Sequence, residues 1–236
     1  MASNNTESNS KLPVILKDID KNYIKPEHRN ELVAEKKYDK IDTNIGSLVK
    51  LGTNGVTYVA EDAFSVLFQT TKPKGAYVFG NQIPDKAKRK VGDKDYAHSS
   101  SVIGLLDKKS QEVRDAEKQA ILQYGRDSII NISDSLQAQD IRRKVDSFTN
   151  KEIKKLRRER SVDFDEVTGD APKKGFAFHH SNPKEIHTDP EDVLDSTKGI
   201  NVNPDNHSDI HRNNINDEEQ LENYIKNKKA ANVDSA

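Results

Sequence analysis

The clearest alternation of apolar and polar positions lies between residues 46 and 80, and it predicts strands. Gly46-Ser47-Leu48-Val49-Lys50-Leu51 predicts one strand, and Gly52-Thr53-Asn54-Gly55 a turn. The run VTYVAEDAFSVLFQ follows, and Asn54-Gly55 between two apolar runs is a hairpin signal. The AFSVLF part of that run also suits the start of a helix. After a turn at Lys72-Pro73-Lys74-Gly75, AYVFG predicts a further strand. Residues 13–45 are polar and mixed, with Pro26 opposing a helix there.

From about residue 108 the period becomes helical. DKKSQEVRDAEKQAILQYG predicts a helix ending at Gly125 as its C-cap, with further helices over about 134–146 and 150–160. Thr149 and Glu152 form a capping-box start for the last of these. Gly169, Pro172 and Gly175 punctuate a loop, Ile200-Asn201-Val202 alternates as a short strand should, and Pro204 opens a helix. A final helix is predicted over about 217–229. The expected class is α+β. Its expected parts are a disordered tail (1–12), a mixed α/β region of a few strands (13–107), a helical connector (108–160) and a C-terminal domain (161–236).

Composition narrows the chemistry. Hydrophobic and charged residues each make up 33%, so some segments are expected to stay flexible. The absence of cysteine excludes disulfides and cysteine-based zinc sites. No apolar run is long enough for a transmembrane helix. The first twelve residues lack the basic start and apolar stretch of a secretory signal. Synthesis in the cytoplasm is therefore expected, with any export left to a dedicated secretion or delivery apparatus. The net charge of −1 hides a local +4 in KEIKKLRRER, residues 151–160. That segment suits either a phosphate backbone or a solvated linker helix. Residues 151–236 together carry 14 basic and 18 acidic side chains.

Five of the seven histidines, His179, His180, His187, His207 and His211, fall between 179 and 211. His207 and His211 are four apart, so a helix projects both from one face toward a single cation. Neutral imidazoles suit Zn, Ni, Cu or Fe. A third ligand must come from elsewhere, and His179-His180 is the nearest supply. An extended strand turns adjacent side chains to opposite faces, so one of that pair can meet the metal and the other the substrate as a base. His187 suits a solvated loop or an auxiliary phosphate contact. Asp189, Glu191, Asp192 and Asp195 suit either a second metal site or an exposed acidic surface. Asp209 suits a surface ion pair or a contact supporting a ligand.

Two motifs, F-x-x-H-H-x-x-P (Phe176, His179, His180, Pro183) and P-x-x-H-x-D-I-H-R (Pro204, His207, Asp209, Ile210, His211, Arg212), frame this segment. With their spacing and the strand, loop, strand, helix order, residues 174–213 resemble the HNH, or ββα-metal, nuclease motif. More narrowly they resemble the DNase domain of colicin-type and pyocin-type bacteriocins and related toxin nucleases. The resemblance implies an HNH motif packed on upstream helices. It implies one divalent ion (Zn, Ni, Mg or Mn) held by His179, His207 and His211, with His180 as general base and Arg212 on phosphate. It implies an endonuclease that hydrolyses DNA with little sequence preference, an antibacterial toxin role and a cognate immunity protein. A phage- or genome-maintenance HNH enzyme, an RNase, or a decayed site that binds metal or DNA without cutting are the alternatives.

The chain departs from that pattern in three ways. Ala177 stands where the family has an acidic residue. The family's central Asn falls near Lys198-Gly199, leaving Asn201, or Asn203, as its substitute. The stretch between the histidine pairs is a few residues longer.

Overall fold

The computed structural model describes residues 14–20, 23–27, 29–183 and 190–233. The chain forms two compact units that divide at residues 145 and 146. The class is mixed α+β, with a five-stranded sheet in the first unit and a two-stranded sheet in the second.

In the first unit, strand β1 (Leu16–Asp18) begins an antiparallel sheet that continues through helix α1 (Glu35–Leu48) to β2 (Val49–Gly52) and β3 (Thr57–Ala60). The Asn54-Gly55 hairpin forms as expected. Gly55 takes a φ of +86°, open to glycine without strain. The Asn54 amide donates to the Tyr58 hydroxyl at 2.8 Å.

Helix α1 was not expected among the polar residues before 46. Most of its polar positions form the outer face, while Tyr38, Ile41 and Ile45 recur at helical spacing and are buried, with Asp42 beside them. The helix consumes Gly46–Leu48, so the strand expected from residue 46 starts only at Val49.

The AFSVLF segment adopts its helical alternative as α2 (Phe64–Leu67). The strand expected at AYVFG is instead helix α3 (Lys72–Gln82). Pro73 sits in the first turn, where a missing N–H costs nothing. Gly75 and Phe79, four apart, form the buried stripe. Strands β4 (Lys88–Val91) and β5 (Lys94–His98), which polar sequence concealed, complete the sheet order β1-β2-β3-β5-β4. The lysines and arginine of β4 suit an edge strand, where charge discourages pairing with another chain.

Helices α4 (Ser99–Glu112) and α5 (Ala116–Ser133), expected partly as a connector, are packed into this unit's core through Val102, Leu106, Ile121, Leu122 and Ile129. The Asp115 side chain caps α5 by accepting from Lys118 N at 2.8 Å. Gly125 does not end the helix. It lies inside α5, where an added Cβ would stand 3.2 Å from Leu67 Cδ2. The two helices expected over 134–160 are one, α6 (Leu136–Glu159), and Thr149 lies inside it rather than at a start.

In the second unit, β6 (Ala177–His180) and β7 (Gly199–Val202) form an antiparallel ribbon, followed by α7 (Pro204–Arg212) and α8 (Glu218–Val233). A small core joins Val167, Ile200, Val202, Ile210 and Leu221, with Ile215, Tyr224 and Ile225 packed on it. Its apolar cover thus comes chiefly from the downstream α8, whereas upstream helices were expected. From upstream, α6 supplies the buried Leu156 and a set of polar ties. The described residues contain no helix long and apolar enough to cross a membrane.

A candidate three-histidine metal centre

The ribbon register sets the site. Ala177 pairs with Val202, Phe178 with Asn201, His179 with Ile200 and His180 with Gly199. Residues 177 and 179 therefore share one face with Ile200 and Val202, and residues 178 and 180 share the other. The core that takes Ile200 and Val202 also takes Ile210 of α7, so His179 is turned toward that helix.

Helix α7 is only nine residues long, and the residues at its entry hold it firmly. Pro204 fixes the first turn, and Asn203 O accepts from His207 N at 2.9 Å. Asn206 and Ile210 face inward, which places His207 and His211 together on the adjoining flank.

Three imidazoles converge as a result. The ring centres of His179 lie 5.1 Å from those of His207 and His211, and the latter two lie 4.7 Å apart. One ring nitrogen from each lies within 4.8 Å of the others, close enough for one metal ion to bridge. Burial, reinforced by the neighbouring His207, His211 and His180, holds the His179 imidazole down at about pKa 4. Burial and then His211 lower that of His207. His179 is thus neutral at pH 7 and presents a lone pair, the form in which imidazole binds metal.

His180 occupies the other face and packs edge-on against Phe178 at 5.0 Å. Its Nε2 lies 2.9 Å from Val193 O. A carbonyl can only accept, so this contact places the proton of the neutral ring on Nε2 and the lone pair on Nδ1. Val193 belongs to a short 3-10 turn, Asp192–Leu194, and Lys198 reaches back to Asp192 at 2.8 Å. Gly199 makes room for this packing. A Cβ there would stand 2.3 Å from both Phe178 Cζ and His179 O. All four histidines, 179, 180, 207 and 211, border one cleft of about 280 Å³.

Asn201 and Arg212, also expected at the site, have partners of their own. Asn201 is fully buried, and its Nδ2 donates to Arg157 O and Val162 O, each at 3.0 Å. It ties the ribbon to the end of α6. Asn203, its alternative, accepts from Lys173 N at 2.8 Å and donates to Ala171 O. The Arg212 side chain is exposed and pairs with Asp209 at 3.0 Å. Asp209 also meets Lys228 at 3.2 Å, so of its two readings the surface ion pair is the one seen. Among the described residues the three histidines form the only metal-competent cluster, while His187 and Asp189 lie outside those residues.

The residues that build the site's support carried no clear sequence signal. Asp165 is fully buried. Its Oδ1 accepts from Val167 N at 2.8 Å and Thr168 N at 3.2 Å, and its Oδ2 from Asn203 N at 2.7 Å and Asn206 Nδ2 at 2.9 Å. One carboxylate thereby joins the 165–170 loop to the start of α7. Glu166 makes a two-pronged pair with Arg160, both contacts 2.6 Å, and accepts from Asn201 N at 2.6 Å. This arginine–glutamate pair braces β7 through Asn201 N. The run Asp165-Glu166-Val167-Thr168-Gly169 holds the one available clue. Aspartate accepting from the backbone two residues on is an Asx turn, and glycine closes it.

No family model matches the chain, and no curated protein or solved structure is significantly similar to it.

Proposed function

We propose that the second unit is a metal-dependent endonuclease of HNH type that hydrolyses phosphodiester bonds in DNA with little sequence preference. One observation carries this reading. Three imidazoles converge on one point, and a fourth, His180, opens into the same cleft. The strand, strand, helix order of the segment supports it.

The donor set fits a borderline metal. At a Zn–N length of about 2.0–2.1 Å, tetrahedral ligands stand about 3.3 Å apart. Binding would therefore draw the three rings inward from their open spacing. A metal held by His179, His207 and His211 would stabilise negative charge on the scissile phosphate and on the leaving oxygen. His180 Nδ1 takes a proton from water as the water oxygen attacks phosphorus. The P–O bond to the leaving oxygen breaks, and that oxygen takes a proton from solvent water and departs as an alcohol. Val193 O stabilises the imidazolium that forms, because it accepts from Nε2–H throughout. Asn201, Asp165 and Glu166 position these groups.

The test is nicking of supercoiled plasmid with Mg, Mn, Ni or Zn, beside His180→Ala and His207→Ala. His180→Ala should lose about 10²–10⁴-fold in rate while still binding metal, and His207→Ala should lose the metal as well. Undiminished cutting by His180→Ala would remove it as the base. Cutting of RNA alone would change the substrate. Metal binding without cutting by the parent protein would favour the binding-only reading that Ala177 raises. We take the setting to be an antibacterial toxin with a cognate immunity protein. Growth arrest on expression, relieved by His180→Ala, is the corresponding measurement.

A further inference from the structure

The first unit holds a second site with different chemistry. Phe68, Tyr77, Val78, Val113 and Leu122 line a chamber of about 510 Å³, with the ion pair of Lys109 and Glu112, 2.9 Å apart, at its border. That volume lies within the range of small-molecule pockets. Tyr77 is 62% exposed. Thr70, Lys74 and Lys118 border this chamber and also a second, of about 520 Å³, so the two join along them.

The second chamber is polar and cationic. Lys37, Lys40, Lys74 and Lys118 line it with Ser65 and Thr71, and no carboxylate does. Glu117 holds Lys37 at 2.7 Å. Lys40, Lys74 and Lys118 have no carboxylate partner among the described residues. The fold creates this concentration. Thr70 N bonds Ser65 O at 2.9 Å, and Gly75 packs so tightly on Ser65 that an added Cβ would stand 2.7 Å from its nitrogen. These contacts seat the first turn of α3 beside the lysines, and the positive end of an eleven-residue helix adds to their field. Beyond Lys40 the next hollow is bordered by Glu61 and Asp62, which bounds the cationic zone on that side.

An aromatic-walled chamber joined to a cationic one matches a ligand with a flat apolar ring at one end and phosphate at the other. We infer that the first unit binds a mononucleotide, its base against Phe68 and Tyr77 and its phosphates among Lys40, Lys74 and Lys118. Aromatic faces accept any base by stacking, so the site discriminates poorly between bases. Lysines bind phosphate as point charges. This inference is independent of the nuclease reading, since no residue of the second unit takes part.

The test is calorimetric titration of the full chain with ATP, adenosine and inorganic phosphate. ATP should bind saturably at one site, and adenosine and phosphate each at least about tenfold more weakly. The double variant Lys74→Ala/Lys118→Ala should weaken ATP at least about tenfold. Tyr77→Ala should weaken ATP and leave phosphate unchanged. These side chains are largely on the surface, so the variants should keep the parent's circular dichroism and melting temperature. No saturable ATP binding, phosphate binding as tight as ATP, or ATP binding unchanged in both variants would each overturn the inference.

Discussion

At the scale of single residues, the site depends as much on what is missing as on what is present. Gly199 has no side chain where any atom would strike Phe178 and the His179 carbonyl. Gly199→Ala should destabilise the second unit by about 3 kcal/mol, the upper end for overpacking, in a denaturant melt followed by circular dichroism. It should also weaken metal binding, because His179 belongs to the displaced strand. The imidazoles make a second prediction. His179 is held near pKa 4 against an ordinary 6.5, and His207 is shifted the same way. Between those values the unfolded chain binds protons that the folded chain does not, so stability rises with pH. The metal-free second unit should thus lose stability as pH falls from 6.5 toward 4, and His179→Asn should flatten that slope. The histidines themselves were legible in the sequence because chemistry and spacing coincide in them. Asp165 was not, because a buried carboxylate and an exposed one look identical until their donors are placed around them.

At the scale of elements, what was legible followed from local rules and what was concealed followed from tertiary contact. The Asn54-Gly55 hairpin, the β7 strand and the Pro204 helix start are set by a few neighbouring residues. The AYVFG segment has strand-like composition yet is helical, because Gly75 must approach Ser65 and Phe79 must bury one turn on. Strand β4 is mostly charged and is recognisable only by its partner β5. Two glycines separate these influences by experiment. Gly104 lies on an open face of α4, where an added Cβ meets nothing within 4 Å. Gly104→Ala should raise stability by about 0.5–1 kcal/mol through helix propensity alone. Gly75→Ala gains the same propensity but drives a methyl into Ser65, and should lower the melting temperature. Stabilisation by Gly75→Ala would show that the α2–α3 contact yields at little cost.

At the scale of the molecule, the division at residue 145 gives two cores with separate burdens. The first buries a broad set of aliphatic and aromatic side chains, whereas the second joins five buried apolar residues in its main cluster, buries Leu156, Phe176, Val193 and Leu194 besides, and adds a polar lattice. A small core would leave more of the second unit's stability to an ion held by the three histidines. Metal at about a hundred times its Kd should add about 2.7 kcal/mol to whatever state binds it. Hydrogen exchange read by mass spectrometry should show this in the amides of residues 177–180 and 199–212, with those of α5 unchanged. Equal protection of both regions would mean that the units open together.

The Asp165 lattice also has a genetic consequence. Its four accepted hydrogen bonds come from the backbone of 167 and 168, the backbone of Asn203 and the side chain of Asn206. If the second unit is the nuclease proposed, a collection of inactive variants selected at random should be enriched at Asp165 and Asn206, residues outside the three-histidine cluster. Such alleles should be temperature-sensitive, and second-site suppressors should restore them by stabilising the fold. Alleles at His180 should resist every suppressor of that kind, so suppression itself separates the scaffold from the chemistry.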